Sequence, residues 1–357
     1  MKRIFILVAI TLLVMGSLFA EEKVLIDFSK LTADIMPNDN DEPTQNRATF
    51  MDFSNSRAAR NFTDDQKSTM KTSLAITNWD VVLSSSSRNV TTKGLSYTKE
   101  APSAQWEKVM GVRVHFPVES FNSSAIIKPP FDIPAFEPPA EVDDDGNIAE
   151  PEEGASNGIT GPSRFEGPAD EETGKPTGGY GVIKNVGTIK SIAVNVYGLN
   201  FPHGLSVILI DDQGKERRVF MGYVNYDGWG ELRWDNPAYV SEVRNRELRI
   251  YPIYPDSTPF VKFGGFIIHR NAEHKGGDFI GYFKDVKVIY DQAVLETDRD
   301  IQDESLWNIV KDRETTRKTN EMEQFGFNQV QRYLDGARQA TERDFTPTPA
   351  SEEGGEE

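Results

Sequence analysis

The chain has 357 residues, with 39 Lys+Arg against 56 Asp+Glu, no cysteine, and 38% apolar residues. Without cysteine there can be no disulfide framework, zinc–cysteine site, iron–sulfur cluster or thiol nucleophile. A net charge of -17 argues against any function that rests on holding a phosphate backbone, so no nucleic-acid partner is expected.

Met1-Lys2-Arg3 is a short positive start, Ile4 to Val14 is apolar except for Thr11, and Ser17-Leu18-Phe19-Ala20 precedes Glu21-Glu22. This layout predicts a cleavable secretory signal over residues 1–20. The apolar run is short for a membrane anchor, and the lack of cysteine excludes a lipid-anchored one. An exported chain with no membrane insertion after cleavage is therefore expected. Loss of Lys2 and Arg3 moves the net charge from -17 to -19.

Residues 21–130 read as the first part of a β-sandwich. Val24 to Phe28, Trp79 to Leu83, Leu95 to Lys99 and Val109 to Val118 have the short apolar character of strands. Residues 131–178 differ in kind, being dense in Pro, Gly and acids. Thirteen carboxylates there face only Arg164 and Lys175, giving -11, and the few aliphatic residues cannot bury enough surface to order the segment. A disordered acidic insertion is expected.

Residues 179–296 read as the second part of the sandwich. Ile192, Val194 and Val196 share a face; Leu205 to Ile210 is apolar on both faces and runs into the turn Asp211-Asp212-Gln213-Gly214; Arg218 to Tyr223 and Trp229 to Trp234 flank Tyr226-Asp227-Gly228. Leu248 and Ile250, Val261 and Phe263, then Phe266 and Ile268 continue the series. Ile280, Tyr282, Val286, Val288 and Tyr290 are expected on one face of the last and longest strand. Period-two patterning, frequent turn residues and no intervening helix predict a mainly β fold, an antiparallel β-sandwich or jelly roll interrupted by the insertion. Residues 297–345 read as a helical tail. Asp303 to Lys318 forms one helix with Trp307 and Val310 on one side, and a second begins at an Asn320/Glu323 capping box and carries Phe327, Val330, Tyr333 and Leu334 at helical spacing. The acidic end, 346–357, is expected to fray.

The motifs that tempt are weak in context. Gly154-Ala155-Ser156-Asn157-Gly158 matches the nucleophile elbow, which needs a strand before it and a helix after it; Pro/Glu-rich sequence surrounds it, and no catalytic residue is assigned. Glu141, Asp143, Asp145 and Glu152 fall on calcium-loop positions, with Gly146 at the turn. Glu at the first position, Pro151 inside the loop and Pro138-Pro139 before it favour a solvated acidic loop, so no metal or cofactor is assigned. His115, His203, His269 and His274 show no ligand spacing. The aromatics carry more weight. Tyr223, Tyr226, Trp229 and Trp234 crowd one short stretch, with Trp234 beside Leu232 suited to the core. Tyr226 and Trp229 are the surface candidates, either for sugar stacking or for a protein interface. Phe327, Val330, Tyr333 and Leu334 are a second interface candidate, toward the protein's own sandwich or a neighbour.

Several long strings stand in one order: Pro43-Thr-Gln-Asn-Arg-Ala-Thr, Met70-Lys-Thr-Ser-Leu-Ala-Ile-Thr-Asn-Trp, Val109-Met-Gly-Val-Arg-Val-His-Phe-Pro-Val, Ile127-Lys-Pro-Pro-Phe-Asp-Ile-Pro-Ala-Phe-Glu-Pro, Val194-Asn-Val-Tyr-Gly-Leu-Asn-Phe-Pro-His-Gly-Leu and Gly228-Trp-Gly-Glu-Leu-Arg-Trp-Asp-Asn-Pro. With them the chain resembles the spirochaete periplasmic flagellar filament outer layer (sheath) protein family, FlaA. Tyr282-Phe-Lys-Asp-Val-Lys-Val also resembles the closing strand of carbohydrate-binding-module jelly rolls. The FlaA resemblance implies a non-enzymatic structural subunit of the periplasmic flagellum that coats a core of flagellins and affects filament shape, stiffness and motility. Its implied partners are those core flagellins and other copies of itself or related sheath proteins. The competing reading is a secreted carbohydrate-binding module of the cell envelope, with Tyr226 and Trp229 stacking on sugar rings.

Overall fold

In the computed structural model the described residues are 21–31, 35–37, 43–45, 50–52, 56–68, 70–118, 122–133, 180–240, 248–250, 254, 259–295, 301 and 303–344. The amino-terminal strands are β1 (Glu21–Asp27), β2 (Ile35–Pro37), β3 (Pro43–Gln45), β4 (Phe50–Asp52), β5 (Lys71–Ser73), β6 (Asp80–Leu83), β7 (Tyr97–Pro102), β8 (Lys108–Phe116) and β9 (Ser124–Lys128). Those that follow residue 179 are β10 (Val182–Lys184), β11 (Val186–Leu199), β12 (Gly204–Asp211), β13 (Glu216–Tyr223), β14 (Asp227–Asp235), β15 (Leu248–Ile250), β16 (Phe260–His269) and β17 (Gly277–Leu295). Among the helices are α1 (Asp64–Ser68), α2 (Val90–Leu95), α3 (Asp303–Trp307) and α4 (Ile309–Asp344).

Two sheets make the sandwich. One has seven strands in the order β14-β11-β17-β8-β7, with β1 and β15 also paired to β17; the other has six, β13-β12-β16-β9-β6, with β10 on β16. Their ladders are antiparallel apart from β15 on β17. Strands from before and after residues 134–179 lie side by side in both sheets, β8 on β17 and β9 on β16. The expected antiparallel β-sandwich is the fold.

Alternation along the strands decides what enters the core. Ile192, Val194 and Val196 of β11 are fully buried, as are Leu205 and Val207 of β12. Aromatic rings fill the centre. Phe28 meets Trp79 at 5.3 Å and Phe266 at 5.8 Å, and Phe266 stacks on Phe283 at 4.5 Å. Trp79 satisfies its indole N–H by donating to the Leu74 carbonyl at 2.9 Å.

The structure corrects two expectations. Ile280 and Tyr282 do not share the core face with Val286, Val288 and Tyr290. Phe279 and Phe283 do, each at most 1% exposed. Against β11, Asn195 pairs with Asp285 while Val196 pairs with Phe283, leaving Lys284 as an additional residue. A bulge inserts one residue and reverses the parity of everything before it, so Tyr282 emerges on the outer face. Second, Asn320 caps no helix. The break falls at Asn308, with φ 52, and α4 then runs unbroken through Asn320. Asparagine tolerates the left-handed conformation better than most residues, and a helix interior accepts it at small cost.

At 36 residues α4 is about 54 Å long. It meets the sandwich at particular points. Val330 joins the core, the Tyr333 ring packs on Phe62 at 5.7 Å, and both Glu323 carboxylate oxygens accept from the Arg57 backbone N–H at 3.2 Å. Phe327, at 56% exposed, points away, and Leu334 is also exposed.

Candidate functional site

The outer face of the seven-stranded sheet carries the densest chemistry among the described residues. In register, Trp229 of β14 lies opposite Tyr197 of β11, Tyr197 opposite Tyr282 of β17, and Tyr282 opposite Gly111 of β8. The rings meet edge to face, Trp229–Tyr197 at 5.4 Å and Tyr197–Tyr282 at 6.0 Å. A Cβ at Gly111 would come within 3.3 Å of the Tyr282 ring, so the glycine leaves room for that ring to lie low across the sheet. Trp106, from the loop joining β7 to β8, closes the row against Trp229 at 4.6 Å. All four side chains are half-buried, each propped by its neighbours. Such rings present apolar area at little cost in rotamer entropy, which suits them to contact surfaces.

Charged groups frame the row. The Lys284 ammonium lies 5.8 Å from the centre of the Trp106 ring, donates to Asp27 Oδ1 at 2.6 Å and approaches Asp285 Oδ2 at 3.6 Å. Asn195 donates to Asp285 Oδ1 at 2.7 Å. Because Lys284 is the bulge residue, the same irregularity that turns Tyr282 outward sets this ammonium beside the row. Farther along β17, Asp278 takes two bonds from the Arg113 guanidinium, at 3.1 and 2.8 Å, and contacts His115 Nδ1 at 2.7 Å. The Arg113 bonds, followed by that of His115, hold the Asp278 carboxyl below its ordinary value. Lys287, bonded to Glu22, is raised above its ordinary value.

The face therefore offers an aromatic strip with fixed charges on both flanks. Among the described residues no group of three or more His, Asp or Glu side chains is placed to hold a metal ion. Glu141, Asp143, Asp145, Glu152 and the Gly154–Gly158 motif lie outside the described residues.

The sequence candidates separate. Trp229 stands on the outer face, and Trp234, stacked by Arg217 at 5.2 Å, packs against the core. Tyr226 turns inward. Its ring occupies the space a Cβ would need at Gly230, 2.7 Å away, and its hydroxyl donates to the Val196 carbonyl at 3.2 Å. Burial pushes the Tyr226 hydroxyl up to about 12. Of the helix set, Val330 and Tyr333 face the protein's own sandwich, whereas Phe327 and Leu334 do not. Sequence reasoning missed Trp106, Tyr197 and Tyr282 as surface partners of Trp229. Strand register brings Tyr197 and Tyr282 to it, and the β7–β8 loop brings Trp106.

Comparison with known proteins identifies the relatives. The family described as "Flagellar filament outer layer protein Flaa" matches residues 42–299. A flagellar filament outer layer protein of Treponema pallidum (strain Nichols) is 49% identical over 354 residues, covering 98% of this chain and 97% of that protein. One from Spirochaeta aurantia is 41% identical over 352 residues, covering 97% and 95%. Among solved structures, a carbohydrate-binding module of the β-sandwich superfamily aligns with 60% of this chain and 57% of its own, at 9% identity and a TM-score of 0.28, too distant to locate a site. On the family match and the near full-length relatives, the chain belongs to the flagellar filament outer layer (FlaA) family.

Proposed function

We propose that this chain is a non-enzymatic sheath subunit, exported to the periplasm, that coats the flagellin core of the periplasmic flagellar filament and thereby affects its shape, stiffness and motility. It engages the filament through the outer face of the seven-stranded sheet. The observation that carries this reading is the row Trp106–Trp229–Tyr197–Tyr282, fixed in register on a stiff sheet and framed by ion pairs. A partly apolar centre with a charged rim is the usual anatomy of a specific protein interface. The test is filament purification from cells making Trp106→Ala/Trp229→Ala in place of the native chain. The native chain co-purifies with the filaments, and the variant stays folded in the periplasm but unattached. Coating at native level by the variant refutes the proposal.

The second reading, a glycan-binding surface, uses the same row, since aromatic rings also stack on sugars. It no longer needs Tyr226, whose ring is committed to Gly230. Binding of isolated cell-wall glycan that depends on Trp229 would favour it, and filament attachment unaffected by deglycosylation would count against it.

A further inference from the structure

Helix α4 carries an apolar stripe that its own sandwich does not cover. Ile309, Phe327 and Leu334 are large, apolar and exposed. At about 100° per residue, their spacings of 18 and 7 residues put all three within about 20° of one line along the helix, with Thr316 on the same line. Val330 and Tyr333, which dock on the sandwich, lie about 60–120° round from it. A groove of about 570 Å³ runs beside the amino-terminal half of the stripe, lined by Ile309, Thr316 and Asn320 among others. Leu306 and Trp307, also exposed, extend the apolar surface past the break at Asn308. Exposed apolar residues scattered singly need no explanation, but aligned on one face beside a groove they mark a contact site.

What fits this face is written in the helix itself. Residues 309–320 carry Lys311, Arg313, Arg317 and Lys318 against Asp312 and Glu314, a net +2. Residues 321–344 carry five acids against Arg332, Arg338 and Arg343, a net -2. These are the charges of whole halves, so they hold whatever ion pairs the side chains make within the chain. A second α4 laid antiparallel sets each half against its opposite, whereas a parallel one sets like against like. The stripe agrees. Ile309 and Thr316 are seven residues apart, as are Phe327 and Leu334. One antiparallel register therefore brings Leu334 opposite the partner's Ile309 and Phe327 opposite the partner's Thr316, beside the groove. By two-fold symmetry each of these contacts is made twice. The paired stretch, residues 309–334, is about 39 Å long.

We propose that α4 is a self-association surface, on which a second copy of this chain pairs antiparallel through Ile309, Thr316, Phe327 and Leu334. The surface lies on the helix and the aromatic row on the seven-stranded sheet, so this inference does not rest on the sheath reading.

The test is sedimentation of the chain lacking residues 1–20, from micromolar to hundreds of micromolar at low salt. The native chain passes from monomer to dimer, and added salt weakens the dimer because opposite charges hold its register. Phe327→Glu weakens association by about thirtyfold or more, while its denaturation at concentrations where the chain is monomeric stays near native, since the side chain is exposed there. Trp106→Ala/Trp229→Ala dimerises like the native chain. With no cysteine in the sequence, introduced thiols read the register directly. A mixture of Ile309→Cys and Leu334→Cys chains joins through a short bis-thiol reagent, and neither variant joins to itself, because like positions lie about 37 Å apart in the antiparallel pair. The proposal is overturned if the native chain stays monomeric throughout, if Phe327→Glu associates like it, if the tryptophan variant loses association, or if either cysteine variant joins to itself as readily as the mixture does.

Discussion

Replacing Lys284 with methionine keeps the apolar stem and removes the charge at the bulge. Lys284 is 6% exposed. The side chains of its partners Asp27 and Asp285 are 14% and 9% exposed, so both carboxylates would lose their cation in a place water reaches poorly. Breaking a buried ion pair by removing one member costs about 3–5 kcal/mol. Here both carboxylates keep other donors: the Ser29 N–H and hydroxyl on Asp27, and the Asn195 amide on Asp285. The loss therefore falls at the lower end, about 3 kcal/mol, roughly a hundredfold in the folding equilibrium. Guanidinium unfolding of the chain lacking residues 1–20 measures it, with the denaturant slope unchanged because the surface exposed on unfolding is the same. A double-mutant cycle with Asp27→Asn should return a coupling of about 2 kcal/mol. A loss below about 1 kcal/mol, or strict additivity of the two substitutions, would show that the ammonium is solvated and that this account of the bulge is wrong.

Three further outcomes follow from the structure. His203 is fully buried among Phe116, Phe201, Phe279 and His274 and accepts from the Asn271 N–H at Nδ1; burial first, then His274 and Arg270, push its pKa from 6.5 down to about 4. The unfolded chain takes up that proton near 6.5 while the folded one resists until about 4, so His203 contributes its full stability above pH 6.5 and loses it progressively as pH falls toward 4. Unfolding curves across that window should flatten in His203→Phe, and an unchanged slope would contradict the assignment. Gly265 has φ 126, and an added Cβ would run into the Ile127 carbonyl of the neighbouring strand, so Gly265→Ala should destabilise by about 3 kcal/mol in chemical denaturation. Phe28, fully buried against Trp79 and Phe266, should cost about 4 kcal/mol when cut to alanine, whereas Phe327→Ala on the exposed side of α4 should stay within about 0.5 kcal/mol.

The fold class was legible because the pleat imposes its period locally. Ile192, Val194 and Val196 can be assigned to one face without knowing any partner strand, and the turn residues between the runs point to the same sandwich. The helical tail was legible for the same reason, although its break was not, since Asn308 and Asn320 are equally plausible punctuation until packing chooses between them. Of the candidate site only Trp229 was legible. Trp229 had to oppose Trp234 across the strand, and it does. The remainder depended on partners distant in sequence. Trp106 meets Trp229 only because the loop joining β7 to β8 reaches across the sheet, and Tyr282 reaches the surface only because Lys284 bulges. Local sequence sets the period of each strand. Register, bulges and crossing helices set which side chains meet, and those follow from the packing of the whole chain, which no short window contains.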